Sequence, residues 1–224
     1  MSGTVVFDLD GTLADTSGDL IASANACFNA RGLDDLLDPV ADALIAFHGG
    51  RAMLRAGYGR IGSETLLPPG AEDEDYPRLL DHYGRNIAVH TRLYPGVQTA
   101  LETLAADGFG LTVCTNKPEG LAEILLREMG IRDMFGGLIG ADTLPVRKPD
   151  PRPYRAAVEA AGGTVEASFL VGDTETDRKT ASAAGVKVAL VGFGPEGEAI
   201  SRLAPEAVLA HFDDLPALAR AWLR

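Results

Sequence analysis

The segment Val5-Val6-Phe7-Asp8-Leu9-Asp10-Gly11-Thr12 starts as a short apolar strand and breaks off into two carboxylates separated by one residue. On an extended chain, residues two apart point to the same side, so Asp8 and Asp10 face one site. Two carboxylates that close do not both stay ionised cheaply unless a cation bridges them. Gly11 lets the backbone turn sharply beside a ligand. Taken alone, the segment also reads as a strand ended by an Asp-Gly turn.

Downstream of this segment, apolar strands and helices alternate. Strands are expected at Gly110 to Thr115, Gly137 to Gly140, Phe169 to Val171, Val186 to Val191 and Val208-Leu209. Helices are expected at Pro118 to Met129, Pro151 to Ala161, Thr176 to Ala184 and Leu215 to Leu223. Continuous apolar strands separated by helices imply an α/β fold, with a Rossmann-like parallel sheet covered on both faces. Ligands bind such sheets at the carboxyl ends of the strands. Between residues 15 and 92 the alternation stops, and helical patterns replace it at Leu20 to Ala30, Val40 to Phe47, Ala52 to Tyr58 and Tyr76 to Ala88. Pro68-Pro69-Gly70 and the acidic run Glu72 to Asp75 read as a loop that splits them. This gap is about three times a strand–helix–strand crossover of roughly 30 residues. The expected organisation is therefore an α/β core domain of residues 1–14 and 93–224, interrupted by an inserted α-helical cap domain of residues 15–92.

Three further polar motifs follow strands. Thr115-Asn116-Lys117 offers a hydroxyl and backbone N–H groups at a helix start, a natural anion site, and reads equally as helix capping. In Arg147-Lys148-Pro149-Asp150-Pro151, Lys148 can offer a fixed positive charge to a phosphoryl oxygen, or stand exposed in a proline-rich loop. Gly172-Asp173-Thr174-Glu175-Thr176-Asp177 can complete a metal site, or its acids can favour the dipole of the following helix. The four motifs gain meaning together, because each follows an apolar strand. Asp8, Asp10, Asp173 and Asp177 make an anionic pocket that needs a cation. Magnesium suits such hard oxygen ligands and keeps phosphate oxygens in its shell. Lys148 supplies one fixed charge and Thr115 a donor, and the whole reads as a phosphoryl-transfer site.

Composition narrows the partners. The 224 residues are 46% hydrophobic and 23% charged, with a net charge of -12, a balance that argues against nucleic acid as the main partner. No apolar stretch reaches membrane-spanning length. The first apolar run has no basic leader and leads straight into the Asp8 segment, so a signal peptide is not expected. Two cysteines are too few for a disulfide framework in a chain this size, and Cys114 reads as a buried structural thiol. The expectation is a cytoplasmic monomer or homodimer acting on a small phosphorylated metabolite, without a nucleic-acid or membrane partner.

The order Asp8-x-Asp10-Gly11-Thr12, Thr115, Lys148, Gly172-Asp173-x-x-x-Asp177 resembles the haloacid dehalogenase-like (HAD) superfamily over the whole chain. The inserted helical segment matches the arrangement called a C1 cap. The resemblance implies that Asp8 is the nucleophile and forms an aspartyl-phosphate. Asp10 protonates the leaving oxygen and then activates water. Magnesium binds the Asp8 carboxylate, the Asp10 carbonyl and Asp173, with Asp177 direct or through water. Thr115, Lys148 and the Asn116 N–H hold the phosphoryl group. Haloacid dehalogenases typically lack the second acid found here as Asp10. Phosphonatases of the family depend on a cap lysine, and residues 20–92 contain none. β-Phosphoglucomutases usually carry Asp-Gly-Val. Asp-Gly-Thr-Leu followed by Asp15, Thr115-Asn116-Lys117-Pro118, Lys148-Pro149-x-Pro151 and Ala183 to Gly185 look most like the phosphoglycolate phosphatases. Pyrophosphatases and sugar-phosphate phosphatases share most of these cues, and a non-catalytic phosphate-binding module is the rival from another class. Arg178 departs from the pattern, where an apolar residue is common. In the cap, Arg51 within His48-Gly49-Gly50-Arg51 is the candidate to pair with a substrate carboxylate, and reads equally as a surface arginine at a helix start.

Overall fold

Four consecutive buried residues, Thr4 to Phe7, form the strand β1 (Thr4–Phe7). A strand covered on both faces carries an unbroken apolar run, not an alternating one. The computed structural model describes residues 3–61 and 68–223. In it β1 pairs in parallel with β4 (Gly110–Cys114) on one side and β6 (Ser168–Gly172) on the other. Beyond these lie β5 (Gly137–Ile139), β7 (Lys187–Val191) and β8 (Ala207–Leu209), in the order β5-β4-β1-β6-β7-β8. The sheet is Rossmann-like, as expected. The chain winds outward from β1 to β5, then crosses back to β6 at the other side of β1. Ligands bind at the carboxyl ends where the winding reverses. In register, Phe7 lies opposite both Val113 and Val171, so Asp8, Thr115 and Asp173 leave the sheet side by side.

The helices of this unit are α5 (Val97–Ala106), α6 (Glu119–Glu128), α7 (Pro151–Ala160), α8 (Glu175–Ala184) and α9 (Leu215–Leu223). Val6, Cys114, Leu170, Val188 and Leu190 pack with Tyr154, Val158 and Ala181 into one core. Local chemistry sets the helix ends. Asp150 accepts the Arg152 N–H ahead of α7, with Pro151 as the first helical residue, where a missing N–H costs nothing. Cys114 and Cys27 are both free thiols and both buried.

Two compact units divide the chain: residues 1–15 with 93–224, and residues 16–92. Two short strands, β2 (Ala14–Asp15) and β3 (Arg92–Leu93), form a separate two-stranded sheet. The second unit is helical, with α1 (Ser17–Ala30), α2 (Ala43–Ala46), α3 (Gly50–Tyr58) and α4 (Ala71–Arg85). Ile21, Phe28, Met53, Leu54 and Leu79 form its core, and Phe28 meets Tyr58 edge-on at 5.0 Å.

Buried carboxylates knit this unit together. Asp75 accepts from Arg31 Nε at 2.5 Å, from Arg78 Nη1 at 2.9 Å and from the Tyr58 hydroxyl. Asp19, near the start of the unit, accepts the backbone N–H groups of His90 and Thr91 at its end, and the Thr91 hydroxyl at 2.7 Å. An added Cβ on Gly18 would lie 2.9 Å from His90 Cβ, so the two ends approach closely.

Two elements differ from the sequence reading. Glu72 to Asp75 are not a loop but part of α4, with Glu72, Asp73 and Glu74 in its first turn, where carboxylates favour the helix dipole. The expected helix from Val40 shortens to Ala43–Ala46, because the Asp38 carboxylate takes the N–H groups of Val40 and Ala41 at 2.8 and 2.7 Å. Such local bonds compete with helix formation. No helix among the described residues is long and apolar enough to cross a membrane.

Candidate active site

The turn after β1 is tight. The Leu9 carbonyl accepts the N–H groups of Thr12, Leu13 and Ala14, and Gly11 adopts φ 79°, a left-handed conformation that glycine favours. Leu9 is buried in the core. The Asp8 N–H donates to Val171 on β6 at 2.9 Å, and its Oδ1 accepts the Leu9 N–H at 2.8 Å. The nearest cation to this carboxylate is Lys148, 2% exposed, whose Nζ stands 3.1 Å from Asp8 Oδ1 and 2.7 Å from Asp177 Oδ1.

Asp177 has a double role. Its Oδ2 accepts from the Thr174 N–H and hydroxyl and from the Asp173 N–H, while Thr174 accepts the Asp177 N–H. This is a capping box that starts α8. The one side chain thus starts α8 through Oδ2 and faces Lys148 through Oδ1. Gly172 makes room for it, since a Cβ there would fall 2.4 Å from Asp177 Cγ.

Asp173 is 2% exposed. Its Oδ1 accepts the Thr12 hydroxyl at 2.8 Å, and its Oδ2 is buried with no hydrogen-bond partner. Carboxylate oxygens of Asp8, Asp173 and Asp177 lie within 4.8 Å of one another. Burial pushes the Asp8 carboxyl up to about 6; Lys148 pulls it down and Asp177 adds to the rise. Burial, then Asp8 and Asp177, raise Asp173 well above the carboxylate range. On Lys148 burial works against the charge, and Asp177 and Asp8 outweigh it, so its affinity for the proton rises. Three buried carboxylates with one ammonium between them, and one oxygen orphaned, suit a hard divalent cation.

Thr115 is buried. Its N–H donates to Ile139 at 2.9 Å, and its hydroxyl oxygen accepts the Lys117 N–H at 3.1 Å, which leaves the hydroxyl proton to donate. Asn116 is exposed, and its amide donates to the Lys148 carbonyl at 3.0 Å, tying the second motif to the third. The Asp10 carboxylate is not part of the acidic cluster. It pairs through both oxygens with Lys117 Nζ, at 2.7 and 2.9 Å. The sequence reading gave no role to Lys117 or Thr12. One signal was present for Lys117: a lysine just ahead of a helix start opposes the dipole, and so calls for a carboxylate partner.

A family model described as haloacid dehalogenase-like hydrolase matches residues 5–191. The chain belongs to the haloacid dehalogenase-like hydrolase family. Among its HAD relatives, a phosphoglycolate phosphatase of Mesorhizobium japonicum is 37% identical over 94% of this chain and 92% of its own length. One from Caulobacter vibrioides is 38% identical over 95% of this chain and 89% of its own. A crystal structure described as that of a predicted phosphoglycolate phosphatase from Haemophilus somnus superposes with a TM-score of 0.84 at 26% identity, over 96% of this chain and 97% of that one.

Arg51 lies in the helical unit of this HAD protein. Its guanidinium stacks over the Tyr76 ring at 3.8 Å and pairs with Asp73 at 2.6 Å, with about half of the side chain exposed. His82 contacts the Ser23 hydroxyl at 3.1 Å in the same unit. Arg178 pairs with Glu206 at 3.5 Å and donates to the Leu203 carbonyl.

Proposed function

We propose that this protein is a magnesium-dependent phosphatase that cleaves a small phosphate monoester through an aspartyl-phosphate on Asp8, with 2-phosphoglycolate as substrate. The observation that carries this reading is the buried cluster of Asp8, Asp173 and Asp177, with the Lys148 ammonium paired to Asp8 and Asp177. The names of the relatives support the substrate.

The residues that would hold magnesium are Asp8, Asp173 through its orphaned Oδ2, and the Asp10 carbonyl. Asp177 already accepts four hydrogen bonds, so it would act through water. Magnesium, when bound, neutralises the cluster and polarises the phosphoryl oxygens. Lys148, the Thr115 hydroxyl and the Asn116 N–H orient the phosphoryl group. The Asp8 carboxylate attacks phosphorus, the bond to the leaving oxygen breaks, and Asp10 gives that oxygen its proton. Water then attacks the acyl phosphate, Asp10 takes its proton, and inorganic phosphate leaves with the Asp8 carboxylate restored. Residues 16–92 serve as a cap that excludes bulk water during both steps. Arg51 would exchange Asp73 for the substrate carboxylate. The enzyme works in the cytoplasm.

The test is phosphate release from an aryl phosphate with and without magnesium, followed by kinetics over a metabolite panel. Metal-dependent turnover that disappears in Asp8→Asn is expected. Turnover retained by Asp8→Asn places the nucleophile elsewhere, and a panel led by pyrophosphate or a sugar phosphate overturns the substrate. Absence of any metal-dependent turnover favours a phosphate-binding module.

A further inference from the structure

Lys117 is a second buried lysine, and it pairs with Asp10. Its residue is 6% exposed, and its Nζ grips both oxygens of Asp10. A buried ammonium is costly and is kept only where it has a partner. Its backbone is itself placed by the site, since its N–H donates to the Thr115 hydroxyl oxygen and its carbonyl accepts the Ala141 N–H at 2.9 Å. The ammonium therefore projects from a fixed base. At the other end of the pair, the Asp10 backbone bridges to Ala14 within the turn after β1. The side chain of Asp10 has three staggered rotamers open to it, and a two-point grip from a fixed ammonium selects one.

From this geometry we infer that Lys117 is the positioning residue of Asp10: it sets where the Asp10 carboxylate stands and so controls both proton transfers without touching substrate. The inference rests on the phosphatase reading above, and deepens it. Misplacing a reacting group by about 1 Å costs on the order of 10²-fold, and general acid–base catalysis contributes roughly 10²–10⁴-fold. Removing the grip must therefore be felt where Asp10 is needed and not elsewhere.

The experiment compares wild type, Lys117→Met, Lys117→Arg, Asp10→Asn and Asp10→Asn/Lys117→Met on two substrates. One is an alkyl phosphate, whose leaving oxygen needs a proton. The other is 2,4-dinitrophenyl phosphate, whose leaving oxygen does not. For Lys117→Met, kcat/KM for the alkyl ester should fall by about 10–100-fold, while kcat/KM for the dinitrophenyl ester, which reports attack by Asp8, stays within about threefold. Slowed hydrolysis of the intermediate should appear as a burst of dinitrophenol. Lys117→Arg, which keeps the charge, should recover most of the loss. In the Asp10→Asn background, Lys117→Met should add little, since residues acting through one another are not additive. Equal losses on both esters, or an undiminished effect of Lys117→Met in Asp10→Asn, overturn the positioning role. Lys117→Arg guards against a variant that fails to fold. A wild type with no metal-dependent turnover sinks the phosphatase reading instead, and so separates the two failures.

Discussion

Gly172→Ala probes how tightly the end of β6 is built around Asp177. The new Cβ would lie 2.4 Å from Asp177 Cγ, 2.5 Å from its Cβ and 2.7 Å from its Oδ2, where ordinary contact begins at 3.4 Å. Relief requires the Asp177 side chain to withdraw by about 1 Å. It cannot do so alone, because it caps α8 and pairs with Lys148 at 2.7 Å. Loss of the cap costs about 1 kcal/mol, and overpacking adds about 1–3 kcal/mol. At roughly 2–4 °C per kcal/mol for a chain of this size, the melting temperature should fall by about 5–15 °C. Because Lys148 also faces Asp8 at 3.1 Å, its displacement should lower kcat/KM by on the order of 10²-fold. Thermal unfolding by circular dichroism and magnesium-dependent phosphate release measure the two effects. Gly120→Ala is the matched control. Gly120 lies in α6 with nothing within 4 Å of an added Cβ, and the change should stabilise by about 0.4–1 kcal/mol. A Gly172→Ala protein with wild-type melting and turnover within twofold refutes the steric argument.

Lys148→Met should leave two buried carboxylates facing each other, lower metal-free stability by about 3–5 kcal/mol and cut kcat by at least about 10²-fold; denaturant unfolding and turnover check this. Magnesium at one hundred times its Kd should stabilise the protein by about 2.7 kcal/mol at pH 7.5, read as a rise in melting temperature. The rise should shrink at pH 5, because the Asp8 carboxyl of the metal-free site, raised to about 6, is then protonated. The same raised group makes the metal-free fold gain stability as pH falls through about 6, since the native state takes up the proton first. A magnesium shift independent of pH contradicts this. Asp75 has the opposite sign. Burial pushes it up, but Arg31, Tyr58 and Arg78 outweigh burial and hold it below its usual value, so its stabilisation is complete above about pH 4 and is lost as pH falls through its native value. Asp75→Asn should cost about 2–3 kcal/mol at neutral pH and flatten that acid limb in urea unfolding.

Much of the sheet was legible because its strands are buried on both faces. Val5-Val6-Phe7 and Phe169-Leu170-Val171 announce themselves as continuous apolar runs, and parallel pairing sets their ends side by side. That is why residues as far apart as Asp8 and Asp173 could be grouped from the sequence. The helical unit was harder, since its boundaries depend on tertiary partners. Glu72 and Asp73 read as a solvated loop until Arg55 and Arg51 of α3 are brought against them. Val40 and Ala41 carry helical periodicity, and the Asp38 carboxylate captures their N–H groups. The partnership of Lys117 with Asp10 spans 107 positions, and no periodic pattern encodes a contact between two loops.

The hold of Asp19 on His90 and Thr91 brings together the first and last turns of residues 16–92. A segment whose ends meet behaves as a cassette. Its host is cut at one place, and its own folding does not require the cut ends to be held apart. Such a cassette can be lengthened, replaced or shuffled between related enzymes without respacing the strands of its host. A lineage built this way can vary the inserted segment while the strand ends that carry Asp8 and Asp173 stay in register. The same clasp marks where an experimenter should splice: residues 16–92, joined through a short linker, are the natural piece to transplant or to express alone.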